Sequence, residues 1–176
     1  PVKYGLYTLL EAISTRGLKC AVATSTQKQS ATNSLTEIGA MSYLDAVVYG
    51  DEVEHGKPEP DIFLRAAEQI GVAPSECIVI EDSINGIKAG YAAGMRVVHV
   101  PDTMEITEDI ARLTSVICRN LSQVVSVIDY WNGKDFKIDR QHVMDTFARY
   151  TSPYNVADPK IKLKIDHTYR VANLCE

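Results

Sequence analysis

The feature that most constrains this chain is an alternation. Short apolar runs, each closing on polar residues, take turns with longer segments of helical periodicity. Lys19 to Thr24, Ala46 to Tyr49, Cys77 to Ile80, Arg96 to Val100 and Ser115 to Cys118 have the length and the near-continuous apolarity of strands covered on both faces. Between them, Leu6, Leu9, Leu10 and Ile13 recur at helical spacing up to Gly17, and a helix is expected from about Gln27 to Ile38 before Gly39. Pro60 opens a third, with Ile62, Phe63, Ala66, Ala67 and Ile70 on one face until Gly71. Ser83 to Ala93, closed by Gly94, and Leu121 to Ile128 complete the set. Strands separated by helices imply crossover connections, hence an α/β fold with a mostly parallel sheet and helices on both faces. In such sheets ligands gather beyond the C-terminal ends of the strands.

Composition narrows the classes. Of 176 residues, 45% are hydrophobic and 23% charged, which a packed core can use. The net charge of −5 argues against nonspecific nucleic-acid binding. No apolar run approaches the roughly 18 residues of a membrane helix, and Pro1 to Leu10 lacks the basic-then-apolar order of a signal peptide. Cys20, Cys77, Cys118 and Cys175 form no C-x-x-C pair and sit in strand-like or helix-like surroundings, so reduced thiols in a cytoplasmic protein are expected. Residues 1 to 133 hold ten basic and seventeen acidic side chains, against eight and six in 134 to 176. The change of sign, beside the turn signal Asn132-Gly133, sets an expected domain boundary after residue 132.

The residues that follow each strand carry the chemistry. Thr24-Ser25-Thr26 offers hydroxyls and backbone N–H groups at a helix start, suited to phosphate oxygens, although the same residues make a routine cap. Gly56-Lys57-Pro58-Glu59-Pro60-Asp61 holds a lysine with little freedom to lose, which suits it to a phosphate and a neighbouring carboxylate; alone, it is equally a loop lysine before a helix. Glu81-Asp82-Ser83 places two adjacent carboxylates at a strand end, hard oxygens suited to Mg2+. Capping by Asp82 or Ser83 is the plainer explanation, but it leaves Glu81 unexplained. Gly90, with Ala92, Ala93 and Gly94, is expected to let its helix pack closely on the sheet.

Taken together and in order, Ala21 to Thr26, Gly50-Asp51-Glu52-Val53, Gly56 to Phe63 and Glu81 to Gly90 resemble the haloacid dehalogenase (HAD) superfamily, and within it the β-phosphoglucomutase-like phosphatases and mutases. The resemblance covers roughly residues 1 to 130. It implies that Thr24 binds the transferring phosphoryl group, with Ser25 and Thr26 adding contacts. Lys57 would steady that group and the nucleophile. Asp82 would hold Mg2+, with Glu81 ligating directly or through water. The family's nucleophile lies in an Asp-x-Asp motif on a central first strand, and no aspartate here begins one; Asp135 and Asp139 are four apart. The helical cap inserted after that strand has no counterpart either, and Pro1 to Gly5 resembles the return from cap to core. The chain therefore reads as a HAD-like core lacking its first strand and cap, a fragment or a shortened relative. The two strands flanking the missing one would then have open edges or pair directly.

Beyond the boundary, Gln141 to Tyr150 has the pattern of an amphipathic helix, and Asn155 to Asp158 with Pro159 can open another. Lys160 to Val171 is similar to the opening helix of an HD-domain metal-dependent phosphohydrolase, which would make His167 a metal ligand; the His-Asp pair of that family has no counterpart in the sequence, and one imidazole builds no site. Lys160, Lys162 and Lys164 are expected to line a solvated face. The resemblances imply a Mg2+-dependent phosphatase of small phosphorylated metabolites that is inactive as this chain alone. The alternatives are a phosphosugar mutase or a non-catalytic Mg2+- and phosphate-binding module. No nucleic-acid or membrane partner is expected.

Overall fold

The computed structural model describes residues 2–102 and 106–133. The chain divides into two units, 1–134 and 135–176, and the described residues all belong to the first. The helices expected after residue 133, with His167, Asp135 and Asp139, lie outside the described residues.

The elements run α1 (Leu6–Thr15), β1 (Ala21–Thr24), α2 (Lys28–Glu37), β2 (Ala46–Tyr49), α3 (Asp61–Ile70), β3 (Ile78–Glu81), α4 (Ile84–Ala92), β4 (Arg96–His99), α5 (Glu108–Ala111), β5 (Val116–Ile117) and α6 (Leu121–Trp131), with three short 3-10 turns between. All pairings are parallel. β1 pairs β2 from Ala21↔Ala46 to Thr24↔Tyr49, β3 pairs β4 from Ile78↔Arg96 to Glu81↔His99, and β4 pairs β5 at Val98↔Val116 and His99↔Ile117. The short helix α5 carries no long apolar period and escapes a reading by periodicity. Pro60 is the cap of α3 rather than its first helical residue.

Helices cover both faces, as the alternation requires. Successive strand residues point to opposite sides. Val79 and Val97 join a core with Ile62, Phe63, Ala66 and Ala67 of α3 and Ile87 and Ala89 of α4. Their neighbours Ile78, Ile80 and Val98 join a second core with Leu9 of α1 and Val124 and Ile128 of α6. Gly90 packs closely on the sheet: a Cβ there would lie 3.0 Å from Val97 Cγ2 and 3.1 Å from Val79 Cγ1, so a larger residue would need these side chains to give way by a few tenths of an ångström.

The sheet differs from a continuous one. It falls into a two-stranded ladder, β1-β2, and a three-stranded ladder, β3-β4-β5. β1 and β3 face one another without pairing. Between them lies an open space rather than a ladder. The space is lined by Ala21 and Ala23 from β1, Ile78 and Ile80 from β3, Phe63 from α3 and Ile128 from α6, and it amounts to a cavity of about 540 Å3.

Asp45 fixes the start of the β1-β2 ladder. Its carboxylate accepts from Lys19 Nζ (2.7 Å) and from the Cys20 N–H (2.9 Å), while its own N–H donates to the Cys20 carbonyl (2.7 Å). The lysine hydrogen bond, then the Cys20 N–H, hold its carboxyl below the ordinary aspartate value of 3.8. The unfolded chain therefore binds the proton first, so this contribution is complete above that ordinary value and is lost as pH falls through the depressed one. Asp45→Asn should flatten the acid limb of the stability profile, read as urea midpoints between about pH 2 and pH 6. An acid limb as steep as that of the parent would contradict the assignment.

Candidate functional site

At the C-terminal ends of β1 and β3 the chain assembles a polar cluster. Lys57, in the loop before α3, reaches inward and is nearly buried, its side chain 11% exposed. Its ammonium donates to the Ala23 carbonyl at the end of β1 (3.2 Å) and to Glu81 Oε1 at the end of β3. It also lies 4.7 Å from the centre of the Phe63 ring, a favourable place for a cation. One side chain thus ties together the two ladders that have no backbone bond between them.

Glu81 is held as firmly. Oε2 accepts from the N–H of Asp82 (3.1 Å), the N–H of Ser83 (3.2 Å) and the Ser83 hydroxyl (3.0 Å). With Lys57 on Oε1, these four donors match the roughly four lone-pair positions of a carboxylate. The Ser83 hydroxyl caps α4 by accepting from the Gly86 N–H at 3.0 Å. The carboxylate lies over the first turn of α4, where the helix dipole favours negative charge. Gly86 makes that possible, because a Cβ on it would collide with the Glu81 carboxylate.

Asp82 faces outward. Its carboxylate is 41% exposed and lies 3.1 Å from Lys3 Nζ, which also sits 3.5 Å from Asp102. Of the two adjacent acids, Asp82 is thus the one open to a cation. Glu81 is engaged as counter-ion and helix anchor, which answers why two acids stand side by side. Among the described residues no three His, Cys, Asp or Glu side chains converge as a ready-made metal cage. Mg2+ does not need one: it is commonly held by one or two carboxylates, waters and substrate phosphate oxygens. The half-exposed Asp82 fits that pattern.

Thr24 ends β1 half-buried beside Ala23, and its Oγ1 accepts from the Thr26 N–H at 3.1 Å, which leaves the hydroxyl hydrogen to donate elsewhere. Ser25 and Thr26 follow in the exposed loop. The Gln27 side chain makes no capping bond to α2, so the cap residue offers no acceptor to the first N–H groups of that helix. Gly50 lets the chain after β2 pass against this loop, since a Cβ on it would stand 2.9 Å from the Ser25 carbonyl carbon.

Thr24, Glu81 and Asp82 stand at the ends of the two facing strands, as their positions in the sequence suggest, and Lys57 reaches the same ends from the loop between β2 and α3. Three neighbours lie outside the sequence motifs. Lys3 precedes α1, and no local pattern aims it at Asp82. Asp102 follows β4, so its only sequence signal is that it is an acid shortly after a strand end. His99 ends β4 and is buried, with Nδ1 3.1 Å from the Glu81 carbonyl and Nε2 without a partner among the described residues. Its signal is a polar residue inside the apolar run Val97-Val98-His99-Val100. The described cysteines take no part: Cys20, Cys77 and Cys118 are free thiols, each pushed up by burial.

The family model of the haloacid dehalogenase-like hydrolases matches residues 2–100. The chain belongs to this family. A phosphorylated carbohydrates phosphatase of Thermotoga maritima is 37% identical over 91 residues, 52% of this chain and 42% of that protein. The fructose-1-phosphate phosphatase YqaB of Escherichia coli is 46% identical over 80 residues, 46% of this chain and 43% of that protein. Among solved structures, CbbY of Rhodobacter sphaeroides in complex with phosphate superposes with a TM-score of 0.62 at 26% identity, covering 69% of this chain and 55% of that one. The matched segment thus spans less than half the length of these two curated relatives. No helix among the described residues is long and apolar enough to cross a membrane.

The geometry makes Lys57 and Glu81 interdependent. Removing one partner of a buried pair leaves an uncompensated charge, at a cost of about 3 kcal/mol or more. Lys57→Met should therefore destabilise the chain by that order in urea unfolding, and Lys57→Met with Glu81→Gln should recover part of the loss. Gly86→Ala should destabilise as well, by displacing the carboxylate from Lys57. Additive losses in the double variant would show that the two side chains act separately.

Proposed function

We propose that this chain supplies the phosphoryl-binding and cation-binding side of a Mg2+-dependent phosphohydrolase acting on small phosphorylated metabolites, of the β-phosphoglucomutase-like kind. The observation that carries the reading is the position of Lys57. Its ammonium is held at the junction of two strand ends, on the carbonyl of Ala23, the residue before Thr24, and on the carboxylate of Glu81, the residue before the outward-facing Asp82. A buried, fixed cation at a strand end is preorganised for an oxyanion, and a helix N-terminus such as that of α2, which follows β1, adds donors for one. The named relatives, a phosphatase of phosphorylated carbohydrates and a fructose-1-phosphate phosphatase, point to phosphorylated sugars as the substrate class.

In this reading Thr24 donates its hydroxyl hydrogen to a phosphoryl oxygen, and the N–H groups opening α2 contribute further donors, with Ser25 and Thr26 at the rim. Lys57 lies opposite and opposes the charge that accumulates on the phosphoryl group. Glu81 holds the ammonium in place and does not touch substrate. Asp82 would hold Mg2+ in exchange for Lys3; when bound, the ion neutralises charge on the phosphoryl oxygens. A carboxylate nucleophile is not among these groups, and the sequence contains no Asp-x-Asp pair. That last feature equally suits a non-catalytic module that binds Mg2+ and phosphate, so binding, not turnover, is the property to measure first.

Calorimetric titration of the chain with inorganic phosphate in the presence of Mg2+ should show saturable binding. Thr24→Val, which removes one hydrogen bond to a charged group, should weaken it about tenfold, and Asp82→Asn should remove its Mg2+ dependence. Phosphate binding that is indifferent to both substitutions would overturn the proposal. The chain alone should show no hydrolysis of fructose 1-phosphate; robust Mg2+-dependent turnover abolished by Asp82→Asn would mean that a nucleophile is already present.

A further inference from the structure

One polar residue interrupts the apolar run Val97-Val98-His99-Val100. His99 closes β4, opposite Glu81 at the end of β3, and is 1% exposed. Successive strand residues point to opposite sides. Val98 and Val100 belong to the core of α1 and α6, and Val97 to the core of α3 and α4. By alternation, His99 lies on the side of Val97. Its Nδ1 stands 3.1 Å from the Glu81 carbonyl. A carbonyl only accepts, so this bond assigns a proton to Nδ1. Nε2 is buried and has no partner among the described residues.

An apolar side chain at position 99 would spare the fold that nitrogen, since a buried polar atom without a hydrogen bond is unfavourable. What the imidazole contributes instead is the single bond from Nδ1, and that bond holds the peptide between the two acids. The Glu81 carbonyl accepts from the Val100 N–H (2.8 Å), at the very end of the β3–β4 ladder, and from His99. These two donors match its two lone pairs. The N–H of the same peptide, that of Asp82, donates to Glu81 Oε2 at 3.1 Å. The peptide is thus held at both ends. Its orientation decides where the adjacent side chains go, Glu81 inward to Lys57 and Asp82 outward. With Val100 as sole donor, the peptide would swing about one bond at the point where the ladder stops.

We infer that His99 is a positioning residue for the acid pair. Its Nδ1–H fixes the Glu81–Asp82 peptide, and so keeps the first carboxylate on Lys57 and the second turned towards a cation. His99 touches neither substrate nor cation; it acts through the backbone of Glu81. For the cation, the inference rests on the reading of Asp82 as the residue that holds Mg2+. The placing of the two acids is measured without metal.

The test uses the full 176-residue chain, isotope-labelled for NMR, and three variants. In His99→Asn the side-chain nitrogen can take the place of Nδ1. In His99→Gln it takes that of Nε2, although glutamine is nearer to histidine in size. His99→Leu has no donor. The amides of Asp82 and Ser83 both donate to Glu81 Oε2. Without metal, their hydrogen exchange relative to that of Val124, in the other core, should quicken about fivefold in His99→Leu and His99→Gln, and stay within about twofold in His99→Asn. Mn2+, as the probe, should broaden the same two amides at similar concentrations in the parent and His99→Asn, and at about fivefold higher ones in the other two variants. The reverse order, with His99→Gln closer to the parent than His99→Asn, would mark side-chain volume rather than the bond and overturn the inference. Exchange that quickens equally at Val124 marks lost stability alone and overturns it too, as does broadening by Mn2+ that no variant changes. Should His99→Leu not fold, the order of the other two decides. Mn2+ that leaves both amides sharp in the parent would overturn the reading of Asp82 and the cation part of this inference, while the exchange order still decides the placing of the acids.

Discussion

The contact on which this unit depends is the ion pair of Lys57 and Glu81. It stands where two parallel ladders end without a backbone bond to join them, and it supplies the join. A buried pair of this kind repays its desolvation only if the remaining donors and acceptors are satisfied. They are: the ammonium also meets a carbonyl and an aromatic face, and the carboxylate also meets two N–H groups and a hydroxyl. Each of those partners belongs to an element whose position the pair then fixes. Ala23 is the end of β1, Phe63 the first turn of α3, and Asp82 and Ser83 the entrance to α4. A substitution at either charge is thus felt in two strands and two helices at once.

The strands were legible because each is an apolar run covered on both faces, and such runs need no partner to be recognised. Ala46 to Tyr49 appears at the predicted bounds, and Arg96 to His99 within one residue of them. Legibility failed where the outcome depends on what lies alongside. That β1 and β3 do not pair cannot be read from either, because Ala21, Ala23, Ile78 and Ile80 have the same apolar character whether or not a neighbour bonds to them. The same holds for Glu81. Its sequence position beside Asp82 suggests twin metal ligands, but the lysine and the helix entrance claim its oxygens. Lys3 lies 79 residues before Asp82, and only the folded chain brings the two together.

Glycine explains why this arrangement is available to so short a segment. Gly86 leaves room for a carboxylate to fold over the helix that begins three residues after it, and Gly90, one turn further, brings the same helix down onto Val79 and Val97. α4 is thereby fixed at both ends of its buried face, and its N-terminus cannot drift from the sheet. Gly90 sits in the helix interior, where glycine is intrinsically unfavourable by about 1 kcal/mol, and Gly86 in the first turn. Close approach offsets that cost here, so propensity alone would underrate this segment as a helix.

The two lysines at the site differ in the ease with which a ligand displaces them, and this orders the chemistry. Lys3 makes exposed contacts with Asp82 and Asp102. Such pairs contribute about 0–1 kcal/mol and are screened by salt, so a divalent ion competes for Asp82 at little cost. Lys57 is bound to a saturated, buried carboxylate, and its removal would strand that charge. One carboxylate is exchangeable and the other is not, although they are adjacent in sequence. The difference comes from backbone direction: successive residues leave the end of β3 on opposite sides, Glu81 towards the helix entrance and Asp82 towards solvent. An acid pair that would repel if both charges shared one site is thus divided between a buried position held by Lys57 and an exposed one held only by Lys3.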